Sequence, residues 1–117
     1  MKIALTSFIV VVGLLLGAPV AKAEDDLLHR LDDTQVASVE VGIGKARTAA
    51  IFRRPSKEFE DQTRSGRVAA LALPGATPLQ GGIPITVDGK VIGAIGVSGN
   101  TPQEDEDIAK VGAAVFR

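Results

Sequence analysis

One histidine set among carboxylates offers the first chemistry in this chain. Asp25, Asp26, His29, Asp32 and Asp33 crowd one short stretch. Carboxylate oxygens and an imidazole nitrogen can together hold a divalent ion, with His29 as the metal ligand. The same composition also suits a solvated N-terminal stretch, and spacing alone does not choose between the two. A Ser-His-Asp triad would have to take His29 as its base. Ser98, in Gly96-Val97-Ser98-Gly99, comes near the nucleophile-elbow pattern without matching it. No catalytic residue is assigned. Gly42-x-Gly44 and Gly93-x-x-Gly96 lack the full dinucleotide fingerprint and its strand-then-helix setting. There is no cysteine, so neither thiolate chemistry nor disulfides enter.

The first segment reads as an address. Met1 and Lys2 give a positive start, 3–20 is strongly apolar, and Ala21-Lys22-Ala23 has the small-x-small form of a signal-peptidase site. The run is broken by Thr6, Ser7, Gly13, Gly17 and Pro19, which favours a cleaved signal peptide over a membrane anchor. The expected division is a secretory signal over 1–23, cleaved after Ala23, and one domain over 24–117. The product would be secreted or periplasmic and would meet the membrane only before cleavage. Cleavage removes Lys2 and Lys22 and keeps all 14 acids, leaving a formal charge of −3. A mildly acidic domain without Trp or Tyr is not built for nucleic acid.

The remaining chain must position any site with one small core. Val36, Val39, Ile43, Ala46 and Ala50 recur at helical spacing and predict a helix over 35–52. Gly42 and Gly44 weaken it, so they imply close packing against another backbone. Pro55 ends it. Ser56 is placed to cap a second short helix over 57–65. The Pro- and Gly-rich stretch 73–84 predicts a fixed loop. Two strands, 83–87 and 90–97, flank an Asp88-Gly89 hairpin turn. Thr101, Pro102 and Glu104 give a capping box for a last helix, with Ile108, Val111 and Val115 as its buried stripe. Leu27 to Asp32 supplies a strand stub. The layout is α+β, an antiparallel sheet backed by helices.

Three stretches carry a family resemblance. They are Gly44-Lys45-Ala46-Arg47-Thr48-Ala49-Ala50 with Phe52-Arg53-Arg54-Pro55-Ser56, then 71–85, then Val91-Ile92-Gly93-Ala94-Ile95-Gly96-Val97-Ser98-Gly99. Together they resemble the GlcG/HbpS family, whose shared region is called the haem-degrading domain. The resemblance implies a profilin-like sheet, a homo-oligomer and haem as cofactor. It also implies an N-terminally truncated domain, because the family's first helix, first strand and Asp-x-Gly-Gly-His turn have no counterpart here. Between Glu24 and Arg117 there is no Cys, Met or Tyr, so His29 is the conventional axial ligand that remains. Thr77 and Lys45 are unconventional fallbacks. Propionates, or a small carboxylate ligand, would draw on Lys45, Arg47, Arg53 and Arg54 and on the amides of Gly81 and Gly82. Those arginines could instead cap the helix and pair with Glu58, Glu60 and Asp61. The implied function is an exported, non-catalytic haem-binding protein. The alternatives are an accessory protein or enzyme for a small hydroxy or oxo acid such as glycolate, or a vestigial member of the family.

Overall fold

The computed structural model describes residues 9–14, 26–30 and 34–116. Strands β1 (Ile9–Leu14), β2 (Asp26–Arg30), β3 (Gly82–Val87) and β4 (Lys90–Ser98) form one antiparallel sheet in the order β2-β1-β4-β3. Helices α1 (Ala37–Phe52), α2 (Lys57–Arg64) and α3 (Pro102–Ala113) complete an α+β fold, with a 3₁₀ turn over Val68–Ala72.

β1 comes from the apolar run read as an export signal. It lies between β2 and β4, in the place where the sequence reading had no strand. An Ile-Val-Val-Val run suits the half-buried surface of a sheet as well as it suits a signal core. Hydrophobicity alone therefore does not separate the two uses. No helix among the described residues is long and apolar enough to cross a membrane.

Alternation along β4 assigns the helices to opposite faces. A Cβ at Gly96 would overlap Gly42 O and stand 2.5 Å from Ala46 N, so Gly96 faces α1. Its neighbours Ile95 and Val97 join Ile83, Ile85 and Ala109 in the main core cluster on the α3 side. Gly112 of α3 meets the Ile95 side chain there. The sheet is thus the middle layer.

The predicted helix stripes hold in part: Ala46 and Ala50 are buried and Val39, Ile43 and Ile108 pack against the core, whereas Val36, Val111 and Val115 do not. α1 buries Ser38, Gly42, Gly44, Lys45, Ala46, Thr48, Ala49 and Ala50, while Val36 is 79% exposed. Its backbone lies so close to β4 that small side chains fit the contact and branched ones stay at its margin. In α3 the buried residues are Asp105, Glu106 and Ala109, whereas Val111 and Val115 are exposed. Asp105 points inward to its partner Lys45, and Ala109 and Ile108 meet the core cluster.

Local signals at the turns operate as their chemistry requires. Asp88 (φ 50°) and Gly89 (φ 75°) both adopt left-handed conformations, as the tight β3–β4 hairpin needs. The Thr101 hydroxyl accepts from Glu104 N–H at 3.2 Å and donates to Glu104 Oε1 at 2.7 Å. Ser56 departs from its expected role. It stands at the N-cap of α2 but makes no side-chain cap bond. Its hydroxyl donates to Leu79 O at 2.5 Å and accepts from Gly82 N–H at 2.8 Å, joining the loop to β3. Ser56→Ala would leave the buried Gly82 N–H and the part-buried Leu79 O without this hydroxyl, and a loss of about 1–3 kcal/mol is expected. Urea unfolding checks this, and a loss under about 0.5 kcal/mol would show that water replaces the hydroxyl.

Candidate functional site

The polar centre of the molecule is Lys45. It lies on α1, yet its partner is on the other side of the sheet. The route passes the start of β3, where Gly81 and Gly82 present no side chains. A Cβ at Gly82 would overlap Lys45 O, and one at Gly81 would stand 2.9 Å from Lys45 Nζ and 2.7 Å from Val97 O. Gly81 also sits at φ 130°, which favours glycine. Through this gap the ammonium donates to Val97 O at 2.9 Å and to Asp105 Oδ2 at 3.0 Å. Both side chains are at least 95% buried. Asp105 Oδ1 accepts from Asn100 N–H at 3.0 Å, so both carboxylate oxygens are engaged.

The loop beside Lys45 is tied at several points. Thr77 N–H donates to Thr48 Oγ1 at 2.7 Å, and the Thr48 hydroxyl donates in turn to Gly44 O at 2.7 Å. The Thr77 side chain packs where a Cβ on Gly44 would be. Gln80 Nε2 donates to Gln103 Oε1 of α3 at 3.2 Å, and Ser56 holds Leu79 and Gly82. Glycine at 44 therefore allows the loop to lie against the helix, as glycine at 81 and 82 lets Lys45 pass.

The anticipated site residues separate into three groups. Lys45, Thr77, Gly81 and Gly82 come together at the junction of α1, the loop and β3. The Lys45 ammonium is committed to Asp105 and Val97, and Thr77 faces α1. Arg53 stands eight residues further along the chain, about 12 Å at helical rise, exposed and in a left-handed conformation (φ 56°). Arg54 pairs with Glu58 at 3.5 Å and lies over the Phe59 ring at 5.9 Å. His29 is on β2, at the opposite edge of the sheet from β3. Its backbone pairs with Val10, Val10 pairs with Val97, and Val97 N–H donates to Gly81 O. His29 and Gly81 thus lie in one row, separated by roughly 14 Å, three strand spacings. The acidic residues around His29 lie mostly outside the described residues. No group of three metal-ligating side chains occurs among those described.

Three participants were not singled out from sequence. Thr48 stood only within a motif of the family resemblance, and Ser56 read as a helix cap rather than as the tie between the loop and β3. Asp105 looked like one of several acids favouring a helix N-terminus. Two polar atoms, Asn100 Nδ2 and Glu106 Oε2, are buried without a hydrogen-bond partner among the described residues. Lys57, exposed beside α3, has its ammonium held above the ordinary 10.5, first by its hydrogen bond to Asp61 and then by the charges of Asp61, Glu106 and Glu60. At the surface this adds little to stability.

Known proteins share this frame. Residues 20–114 match the family described as haem degrading protein HbpS-like. Protein GlcG of Escherichia coli K12 is 46% identical over 71 residues, covering 61% of this chain and 53% of GlcG. The chain thus spans about half the length of that relative. A 15.0 kDa protein encoded between dhaT and dhaS in Citrobacter freundii is 35% identical over 94 residues, covering 77% of this chain and 66% of its own length. A crystal structure of a double mutant of HbpS from Streptomyces reticuli superposes with a TM-score of 0.78 at 27% identity, over 94% of this chain and 71% of that one. The Klebsiella pneumoniae protein ORFY, at 23% identity, has the same fold with a TM-score of 0.79, over 93% and 74% of the two chains. With the sheet, the helix-to-loop contacts and the family match in agreement, this chain belongs to the HbpS-like family.

Proposed function

We propose that the chain is an exported haem-binding protein that handles haem without turning it over. The observation that carries haem as the ligand is the family match across 20–114, to a family described as haem-degrading. The non-catalytic part rests on the lack of a convincing acid–base pair in the sequence. Haem is placed against the loop 77–82. The exposed apolar residues Ile51, Leu71 and Leu79 offer surface to the macrocycle, and Ile51 reaches the loop at Gly75. Arg53, exposed at the end of α1 just past the apolar residue Ile51, is the cation assigned to a propionate. Lys45 serves by fixing the loop and β3, since Asp105 already neutralises it. His29 is the axial donor, as the conventional ligand type present between Glu24 and Arg117. A homo-oligomer, which the family resemblance implies, would let one chain's β2, joined to the sheet only through β1 in the uncleaved chain, approach another chain's loop. Export rests on the pattern of 1–23, with cleavage after Ala23.

A haemin titration followed at the Soret band tests the reading, with His29→Ala and Arg53→Ala alongside. A saturable shift that His29→Ala abolishes is expected. Arg53→Ala should weaken binding by about two- to fivefold, the scale of an exposed charge contact. A shift retained in His29→Ala would move the iron ligand elsewhere. No saturable shift from the folded protein would overturn haem, and titration with a small hydroxy acid would then be the informative experiment.

A further inference from the structure

β1 is one of the two inner strands of the sheet and also part of the segment that export would remove. It pairs with β2 from Ile9↔Arg30 to Gly13↔Asp26, and with β4 from Ile9↔Ser98 to Leu14↔Gly93. β2 has no other neighbour in the sheet. Cleavage after Ala23, the export reading on which this inference rests, would therefore take away an entire strand and leave a slot beside β4.

The described residues define that slot. Val97 N–H donates to Gly81 O at 3.0 Å, on the β3 side. By alternation Ala94, Gly96 and Ser98 turn their N–H and C=O groups toward β1. The edge from Gly93 to Ser98 reads Gly-Ala-Ile-Gly-Val-Ser, without charge or proline. Such an edge is open to another strand. The outer edges of the sheet differ. β3 carries Pro84 and an irregular register between Ile85 and Thr86, and β2 carries Asp26 and Arg30.

We propose that the processed protein is a strand acceptor. The slot beside β4 takes an extended, uncharged, β-branched segment of a partner protein, running antiparallel to β4 in the register that β1 shows. Backbone hydrogen bonds would supply affinity, as in other cases of strand addition. Two rival occupants are less suited. β2 is antiparallel to β1, hence parallel to β4, and would bring Asp26 and Arg30 to an uncharged edge through the weaker kind of pairing. A second copy pairing β4 to β4 would bring two α1 helices together on one face, where α1 already packs closely over β4. A lone strand has neither difficulty.

The test uses protein recovered after export, with its intact mass recorded. The probe is a synthetic peptide of residues 8–15 flanked by lysines, with a proline-substituted peptide as control. Uncleaved chain from a membrane-free translation extract is the second control. Binding should raise the Tm of the processed protein by at least about 4 °C at saturation. It should also slow exchange of the Ala94, Gly96 and Ser98 amides, and neither control should respond. A processed monomer with those amides already protected would mean that β2 has closed the slot, which overturns the proposal. A processed dimer with the same protection would put a second copy there and overturn it equally. Processed protein that the peptide does not move also overturns it. Recovery of uncleaved protein alone would overturn the export reading instead.

Discussion

Lys45→Met is expected to lower the unfolding free energy by about 3–5 kcal/mol, measured by urea denaturation. The substitution keeps most of the side-chain volume and removes the charge. Asp105 is then left in a place almost without solvent, holding one backbone N–H and no cation. Val97 O loses its donor as well. Against the 5–15 kcal/mol typical of a whole domain, this is a large share. A second substitution, Asp105→Leu on the Lys45→Met background, should restore most of the loss. Removing the stranded charge eliminates its desolvation penalty, and a buried pair is often no better than a well-packed apolar one. The double-mutant cycle therefore reads the cost of a lone charge. A single-mutant loss below about 1 kcal/mol would show that water reaches the pair and that the passage is not dry.

Gly96→Ala and Gly82→Ala should be nearly as damaging, costing about 3 kcal/mol each or preventing folding. Each added methyl would meet backbone, Gly42 O and Ala46 N in one case and the Lys45 carbonyl in the other. Backbone in a packed helix–sheet contact cannot swing aside as a side chain can. Gly66 provides the comparison. Its φ of 100° disfavours alanine, but nothing lies within 4 Å of the added carbon. Gly66→Ala should therefore cost only about 1–2 kcal/mol of backbone strain. Thermal melts of the three variants should separate into two classes. Similar melting temperatures for all three would mean that α1 can lift away from the sheet.

The elements were largely legible because their boundaries carry local chemistry. Thr101-Pro102 begins α3, Asp88-Gly89 turns β3 into β4, and Pro55 follows the end of α1. Which residues each helix buries was legible only in part. The stripe Val36, Val39, Ile43, Ala46 and Ala50 holds at Ala46 and Ala50, which are buried, and at Val39 and Ile43, which pack against Ala46. The closest approach to the sheet, however, is at Gly42 and Ala46, where only small residues fit. The Lys45–Asp105 pair was hidden for a different reason. Its partners are 60 residues apart, and each had a sufficient surface explanation. Gly81 and Gly82 looked like possible amide donors to a ligand, whereas here they leave room for a side chain to pass. Ile9 to Val12 shows the limit of hydrophobic pattern most plainly, since an export signal and an inner strand draw on the same residues.

The tethers on the 73–81 loop have a consequence for whatever binds beside it. A loose loop of that length would have to be ordered when a ligand arrives, at a cost in conformational entropy. Here Thr48, Ser56 and Gln103 have already fixed it to two helices. Folding has met the ordering cost beforehand, so association can draw more fully on the contacts themselves.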